Sequence, residues 1–273
     1  MIKHGNHIIE LDKMCEKCNV QGHLLCYMSD MSGATHSKKD GFARYIIDNM
    51  MENGELLFNQ PVVVNGFQKF THAVGAYLSE LGWTSELYAI SHAMPTLYRT
   101  FLERKRYENT VMLVTEYVGH YPKEYSEEIA REKGAVFIDQ YSNEYGVEYY
   151  TVQALNSMLD IPYEIDAFIN PNATGATTKG FGGALKTVFK NMKIYSPNFM
   201  SSGNPDKGGE LLPPLLRDFD IELFDKNSVD MFLYTKETQV EGIYFNQSWK
   251  QINFGLTYLK NNPNKTVLLH IGG

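Results

Sequence analysis

With 273 residues, 43% of them hydrophobic, the chain can bury one large core or two smaller ones. A formal charge of −7 argues against nucleic acid as the main partner. No apolar run reaches the roughly 20 residues that cross a bilayer, and MIKHGNHIIELDKM lacks the apolar core of a signal peptide, so the expectation is a soluble cytoplasmic protein with no membrane partner.

The first element worth weighing is CEKCNVQGHLLC. Cys15, Cys18, His23 and Cys26 are soft ligands at close to zinc-knuckle spacing, but the last gap is two residues where a knuckle uses four. LLCYM also reads as a buried strand, which would place Cys26 in a core.

Farther on, short β-type runs alternate with helical patterns. DGFARYIIDNMMENG sets Phe42, Tyr45, Ile46 and Met50 on one helical face, with Gly54 to end it. Strands are expected at 61–65 (PVVVN), 86–90 (ELYAI), 110–116 (TVMLVTE) and 135–141 (AVFIDQY). Helices FTHAVGAYLSELG, closing at Gly82, and PKEYSEEIAREKG, closing at Gly134, fall among them. IDAFIN (165–170), IELFD (221–225), DMFLYT (230–235) and KTVLLHI (265–271) complete the strands, and 201–218 is the longest irregular stretch. This rhythm predicts an α/β protein with a mainly parallel sheet and a ligand crevice at the strands' carboxyl ends.

Two segments carry chemistry. SGATHSKKDGF puts Lys38 and Lys39 at the mouth of a helix, whose positive end repels cations. DAFINPNATGATTKGFGG runs from a strand through small residues into a helix beginning near Lys179, an arrangement that suits an anion. It fits neither a Walker nor a Rossmann loop, and a helix cap with packing glycines is an equal reading.

Taken together, these segments resemble the fold-type II pyridoxal-phosphate enzymes, in the branch of cysteine synthase and cystathionine β-synthase. Ser37-Lys38-Lys39-Asp40 falls on that family's S-x-K-D. DAFINPNATGAT matches its D-x-F-I-x-G-x-G-T-G-G-T at Asp166, Phe168, Ile169, Thr174, Gly175 and Thr177. GNHIIEL, DQYSN, EGIYFNQSWKQ and KTVLLHIGG follow looser family motifs in the same order, so the resemblance is collinear over nearly the whole chain.

The resemblance implies a two-lobed fold like that of the tryptophan synthase β chain. Residues 1–42 with 141–273 would form a larger cofactor-binding lobe, and 43–140 a smaller mobile one, with pyridoxal 5′-phosphate between them. It implies a homodimer working on a small amino acid by β-elimination or β-replacement of a serine- or cysteine-like substrate, as a lyase or transferase passing through an aminoacrylate. Lys39 would form the Schiff base and move protons at the α-carbon. Ala173, Thr174, Gly175, Ala176 and Thr177 would hold the phosphate, and Ser248 would meet the pyridine nitrogen.

Several motifs depart from the family. T-S-G-N-T-G is replaced by VVVNGFQKFTH, where Asn65, Gln68, Lys69 and Thr71 are candidate substitute donors for substrate, with Gln140 from DQYSN. N-P-G-G becomes Gly33-Ala34-Thr35-His36, the arginine after K-D becomes Gly41, and two phosphate-loop glycines become Ala173 and Ala176. His36 and Tyr141 are further candidates for contacts near the site. These departures admit an alternative, a catalytically silent relative acting as partner or regulatory subunit. The joint survival of Lys39, Thr174, Thr177 and Ser248 favours the enzyme.

Overall fold

The computed structural model describes residues 7–29, 32–65, 68–92, 107–115, 123–171, 174–197, 214–216, 218–224, 239–240, 243–244 and 249–272. Two compact units form, Met1–Ser29 with Val147–Gly273, and Asp30–Gly146, so residues 30–42 and 141–146 pack with the segment 43–140.

The unit of residues 30–146 is a four-stranded parallel sheet. Its strands are β3 (Val62–Asn65), β4 (Leu87–His92), β5 (Thr110–Thr115) and β6 (Val136–Ile138), in the order β5-β4-β3-β6. Helices α2 (Lys39–Glu52), α3 (Gln68–Glu80) and α4 (Lys123–Lys133) flank it. Parallel neighbours need crossovers, and α3 supplies the one from β3 to β4. Every residue of β3 is buried, as a central strand covered on both faces requires. Val63 and Ile90 pack with Ile129 and Ala130 of α4, while Phe42 of α2 meets Phe70 of α3 edge-on at 5.6 Å.

The other unit holds six strands, β1 (His7–Glu10), β2 (Gly22–Met28), β7 (Ala167–Ile169), β8 (Lys193–Pro197), β9 (Glu222–Phe224) and β12 (Lys265–Ile271). Their order is β1-β2-β12-β7-β8-β9, and only the β1–β2 pair is antiparallel. Six of the seven residues of β12 are buried. Helices α1 (Asp12–Lys17) and α7 (Trp249–Asn261) help cover the sheet, and their core joins Leu11, Leu24, Ile169, Leu256 and Leu269. A short antiparallel pair, β10 (Gln239–Val240) with β11 (Ile243–Tyr244), stands apart from this sheet.

Several elements lay outside the sequence expectations, among them β1, α1, β10 and β11. Helix α5 (Glu144–Ser157) buries Tyr150 and Ala154 but exposes Val152 and Leu155, so no single apolar stripe marks it. Strand β8, KIYSP, is short, part polar and ends in proline, which masks its strand character. Helix α7 begins at Trp249, inside the rewritten EGIYFNQSWKQ of residues 241–251. The strand expected at 230–235 lies outside the described residues, as does most of 201–218.

The three cysteines fall in or against one apolar core cluster, while His23 pairs with Glu10 at 2.6 Å. Cys15 and Cys26 are buried in the apolar core, and burial pushes the Cys15 thiol up to about 11 and Cys26 further still. Among the described residues, the one group of three metal-type ligands within 4.8 Å is Glu10, Asp12 and His23, with Tyr163 stacked on His23 and donating to Glu10 at 3.1 Å.

Candidate functional site

In the 30–146 unit, the turn before α2 is built on Asp40. Its carboxylate accepts the backbone N–H of Thr35 at 3.1 Å, the Thr35 hydroxyl at 2.8 Å and the N–H of Ser37 at 3.3 Å. The Ser37 hydroxyl in turn accepts the N–H of Lys39 at 3.2 Å. An acidic side chain in the first turn also complements the helix dipole. Gly33 lets the turn close, because a Cβ there would sit 2.5 Å from Cβ of Asp40. The Ser-Lys-Lys-Asp run thus holds the backbone of Lys39 in one geometry at the first position of α2.

The Lys39 ammonium lies 4.2 Å from the ring centroid of Phe42 and 5.7 Å from that of Phe70. Burial, and next the charge of Lys38, lower its pKa from 10.5 to about 7. Lys38 is lowered to about 8 by burial and by Lys69. Lys69 is exposed as a residue, yet packing around its amine lowers its pKa as well. Three lysines therefore share the mouths of α2 and α3, where two helix N-termini already carry partial positive charge.

This cluster has a measurable consequence for the cofactor-free protein. Lysines with folded pKa values below their unfolded ones leave the unfolded chain binding more protons between about 7 and 10.5, so stability rises with pH across that window. Lys39→Met removes one such penalty. It is expected to raise stability at pH 7 by on the order of 2 kcal/mol, after allowance for partial solvent access. Urea unfolding at pH 7, 8 and 9 should show the gap between wild type and variant narrowing as pH rises. A gap that widens instead would contradict a buried, neutralised Lys39.

The same unit places Asn65 at the carboxyl end of β3, fully buried, with neither its side-chain oxygen nor its nitrogen hydrogen-bonded. Gln140, also buried, donates from Nε2 to the Asn65 carbonyl at 2.9 Å. Orphaned buried amides are costly, and an edge of this kind suits a polar ligand. Thr71 is buried in the first turn of α3, while only the backbone of Gln68 falls among the described residues. Tyr141 is buried with its phenol raised to about 12, chiefly by burial and then by Asp139, so it is a neutral packing group. His36 is exposed, at φ +50°.

In the other unit, β7 runs on through Asn170 to Pro171, and the described residues resume at Thr174. Gly175 adopts φ +87°, and the chain is helical from Ala176 to Val188, three residues earlier than the start expected at Lys179. The glycine reverses the chain sharply enough for the helix to begin at once. Its first part is a π-helical turn, Thr178–Gly182, which continues as α6 (Gly183–Val188). Such turns cluster at functional sites. Thr174, Thr177 and Thr178 are buried. Asn170 donates to Thr178 Oγ1 at 2.9 Å and leaves its own Oδ1 without a partner.

This donor set fits a phosphate monoester. It combines a helix N-terminus, a left-handed glycine and clustered threonine hydroxyls. Ala176 adopts an ordinary helical conformation, so its methyl group introduces no backbone strain where the related motif has glycine. Ala173 and Ser248 lie outside the described residues. Asn170, Thr178 and Gly180 had no role in the sequence reading. The signal that could have marked Gly180 is its place in a glycine-rich run directly after the threonines.

No family model matches the sequence, and no curated protein matches it. Solved structures do. An O-acetylserine dependent cystathionine beta-synthase from Helicobacter pylori superposes with a TM-score of 0.76 at 13% identity, over 100% of this chain and 95% of that one. An O-ureido-L-serine synthase gives 0.75 at 15% identity, over 97% and 88%. A hydrogen sulfide-producing enzyme from Fusobacterium nucleatum gives 0.72 at 15%, over 98% and 94%. The chain therefore has the α/β fold of the fold-type II, cysteine synthase-like pyridoxal-phosphate enzymes.

Proposed function

We propose that the protein is a pyridoxal-phosphate-dependent enzyme performing β-elimination or β-replacement on a serine- or cysteine-like amino acid, as a homodimer. The observation that carries this reading is Lys39, held by the Ser37–Asp40 frame over two aromatic rings with its pKa lowered to about 7. Its likeness to an O-ureido-L-serine synthase and an O-acetylserine dependent cystathionine beta-synthase supports the substrate class.

Pyridoxal phosphate, when bound, supplies an aldehyde for an amine and an electron-withdrawing ring that acidifies the α-carbon of an attached amino acid. The remaining work falls to this chain. An ordinary lysine with a pKa near 10.4 is almost wholly ammonium at neutral pH and cannot act as a nucleophile. Lys39 at about 7 is close to half neutral there, so its Nζ can bond to a carbonyl carbon and later hold the proton removed from an α-carbon. Thr174, Thr177 and the helix N-terminus after Gly175 bind the phosphate, with Ala176 beside them and, by resemblance, Ala173. Asn65, Thr71 and Gln140 orient the amino acid's carboxylate from the edge of the smaller sheet. By resemblance, Ser248 meets the pyridine nitrogen, and residues 43–140 form the mobile lobe.

Purified protein is expected to be yellow, with visible absorbance that borohydride removes by reducing the carbon–nitrogen bond. A colourless protein that stays colourless after incubation with pyridoxal phosphate, yet copurifies with another chain, would instead mark a silent regulatory relative.

A further inference from the structure

The proposed chemistry makes no use of His23. With Cys15 and Cys26 drawn into the core, this imidazole turns instead to two carboxylates. Glu10 closes β1, Asp12 opens α1 and His23 is the second residue of β2, so three consecutive elements each deliver one donor. Glu10 pairs with Leu25, and the Leu11 N–H bonds to the Leu24 carbonyl at 2.9 Å, which carries the pairing past the end of β1. Strand alternation then sets Glu10 and Asp12 on the face that carries His23. The ligand atoms of the three side chains all lie within 4.8 Å of one another, and His23 Nδ1 stands 2.6 Å from Glu10 Oε1. Tyr163 arrives from far along the chain to steady the group. Its ring stacks on His23 at 3.8 Å and 20°, and its hydroxyl donates to Glu10 Oε2 at 3.1 Å. With the second carboxylate oxygen so engaged, Oε1 and Nδ1 converge on one point, as donors do when outer partners orient them.

We propose that Glu10, Asp12 and His23 bind one divalent transition-metal ion of the zinc type, at a site separate from that of the cofactor. An imidazole ligand selects zinc-like ions over magnesium and calcium, which take oxygen donors. The two carboxylates balance the charge of the ion. His23 keeps 41% of its side chain exposed and Glu10 23%, so an ion can enter and water can fill the remaining positions. Zinc bonds near 2.1 Å set tetrahedral ligand atoms about 3.4 Å apart, within reach of a small opening of the His23–Glu10 pair and a rotation of Asp12. On binding, the ion replaces the hydrogen between Nδ1 and Oε1. The neutral ring then carries its hydrogen on Nε2 and gives the Nδ1 lone pair to the metal. His23 pairs with Thr266, the second residue of β12, so the site lies at the amino ends of the parallel strands. The threonines of 174–178 follow the carboxyl end of β7. The ion therefore ties β1, α1 and β2 together and acts on stability rather than on turnover.

The test is calorimetric titration of the full chain, stripped of metal with a chelator and dialysed, with zinc chloride and separately with magnesium chloride. Zinc is expected to saturate at one ion per chain and to bind at least about tenfold tighter than magnesium. His23→Ala and Glu10→Gln should each weaken zinc binding at least about tenfold. Tyr163→Phe, which keeps the stacked ring but loses the hydrogen bond to Glu10, should weaken it about tenfold. Cys18→Ser, which alters the partly exposed thiol nearby, should bind zinc as the wild type does. Zinc should raise the melting temperature of the wild type and leave that of His23→Ala where it was. The replaced side chains are part exposed, so the variants open no core. Absence of saturable binding, zinc affinity unchanged in both His23→Ala and Glu10→Gln, or binding lost in Cys18→Ser overturns the proposal. Visible absorbance sensitive to borohydride should be the same in His23→Ala as in wild type, so a colourless protein that binds zinc through His23 sinks the enzyme reading and leaves the metal site standing.

Discussion

Lys39→Ala is expected to leave a protein that folds but shows no visible absorbance sensitive to borohydride and turns over serine-type substrates at least about 10³-fold more slowly, since one group serves as both attachment point and proton carrier. The side chain is half-buried at the first position of α2 and makes its contacts through its amine, so its loss opens little core. The frame beneath it uses the backbone N–H of residue 39 and therefore survives the substitution. Lys38 does not replace it, because it points from a neighbouring helical position about 100° around the axis. Activity retained within tenfold of wild type, or borohydride-sensitive colour in the variant, would remove Lys39 from the mechanism.

Gly180→Ala should be the most damaging of the small substitutions. A Cβ at that position would meet the Val147 carbonyl oxygen at 2.2 Å and the Thr151 nitrogen at 3.1 Å, both backbone atoms of α5. Neither can rotate away, so α5 and the π-helical turn must separate. The expected cost is about 3 kcal/mol, at the upper end for overpacking a core, with a fall in melting temperature of roughly 6–12 °C. The turn sits directly after Thr174–Thr177, so pyridoxal phosphate should also bind more weakly. Gly82→Ala is the comparison. Gly82 has φ +72° but open space around its missing side chain, so strain alone should cost about 1 kcal/mol. Thermal unfolding of the two variants should rank them in that order, and a reversed order would show that the packing of α5 on the turn is loose.

Much of the fold was legible along the chain. β12 runs over the seven residues KTVLLHI because an unbroken apolar run fits a strand covered on both faces. α2, α3 and α4 end just before Gly54, Gly82 and Gly134, since glycine closes helices for local steric reasons. The Ser37–Asp40 motif was equally readable, being contained within four consecutive residues. α5 and β8 were not. Tyr150 is buried against a partner more than a hundred residues away, His270, and nothing in EYGVEYYTVQALNS announces that partner.

Local order along the chain was thus enough to place Lys39 at a helix mouth and the threonines beside a strand end, because caps, turns and periodicity act over a few residues. Three facts required the folded chain. Lys69 comes to share its surroundings with Lys38 and Lys39, Asn65 is buried with its amide unsatisfied, and Gly180 touches the backbone of α5. Charge repulsion, desolvation and steric overlap all depend on distances through space, and helix packing sets those distances between residues that lie some thirty positions apart.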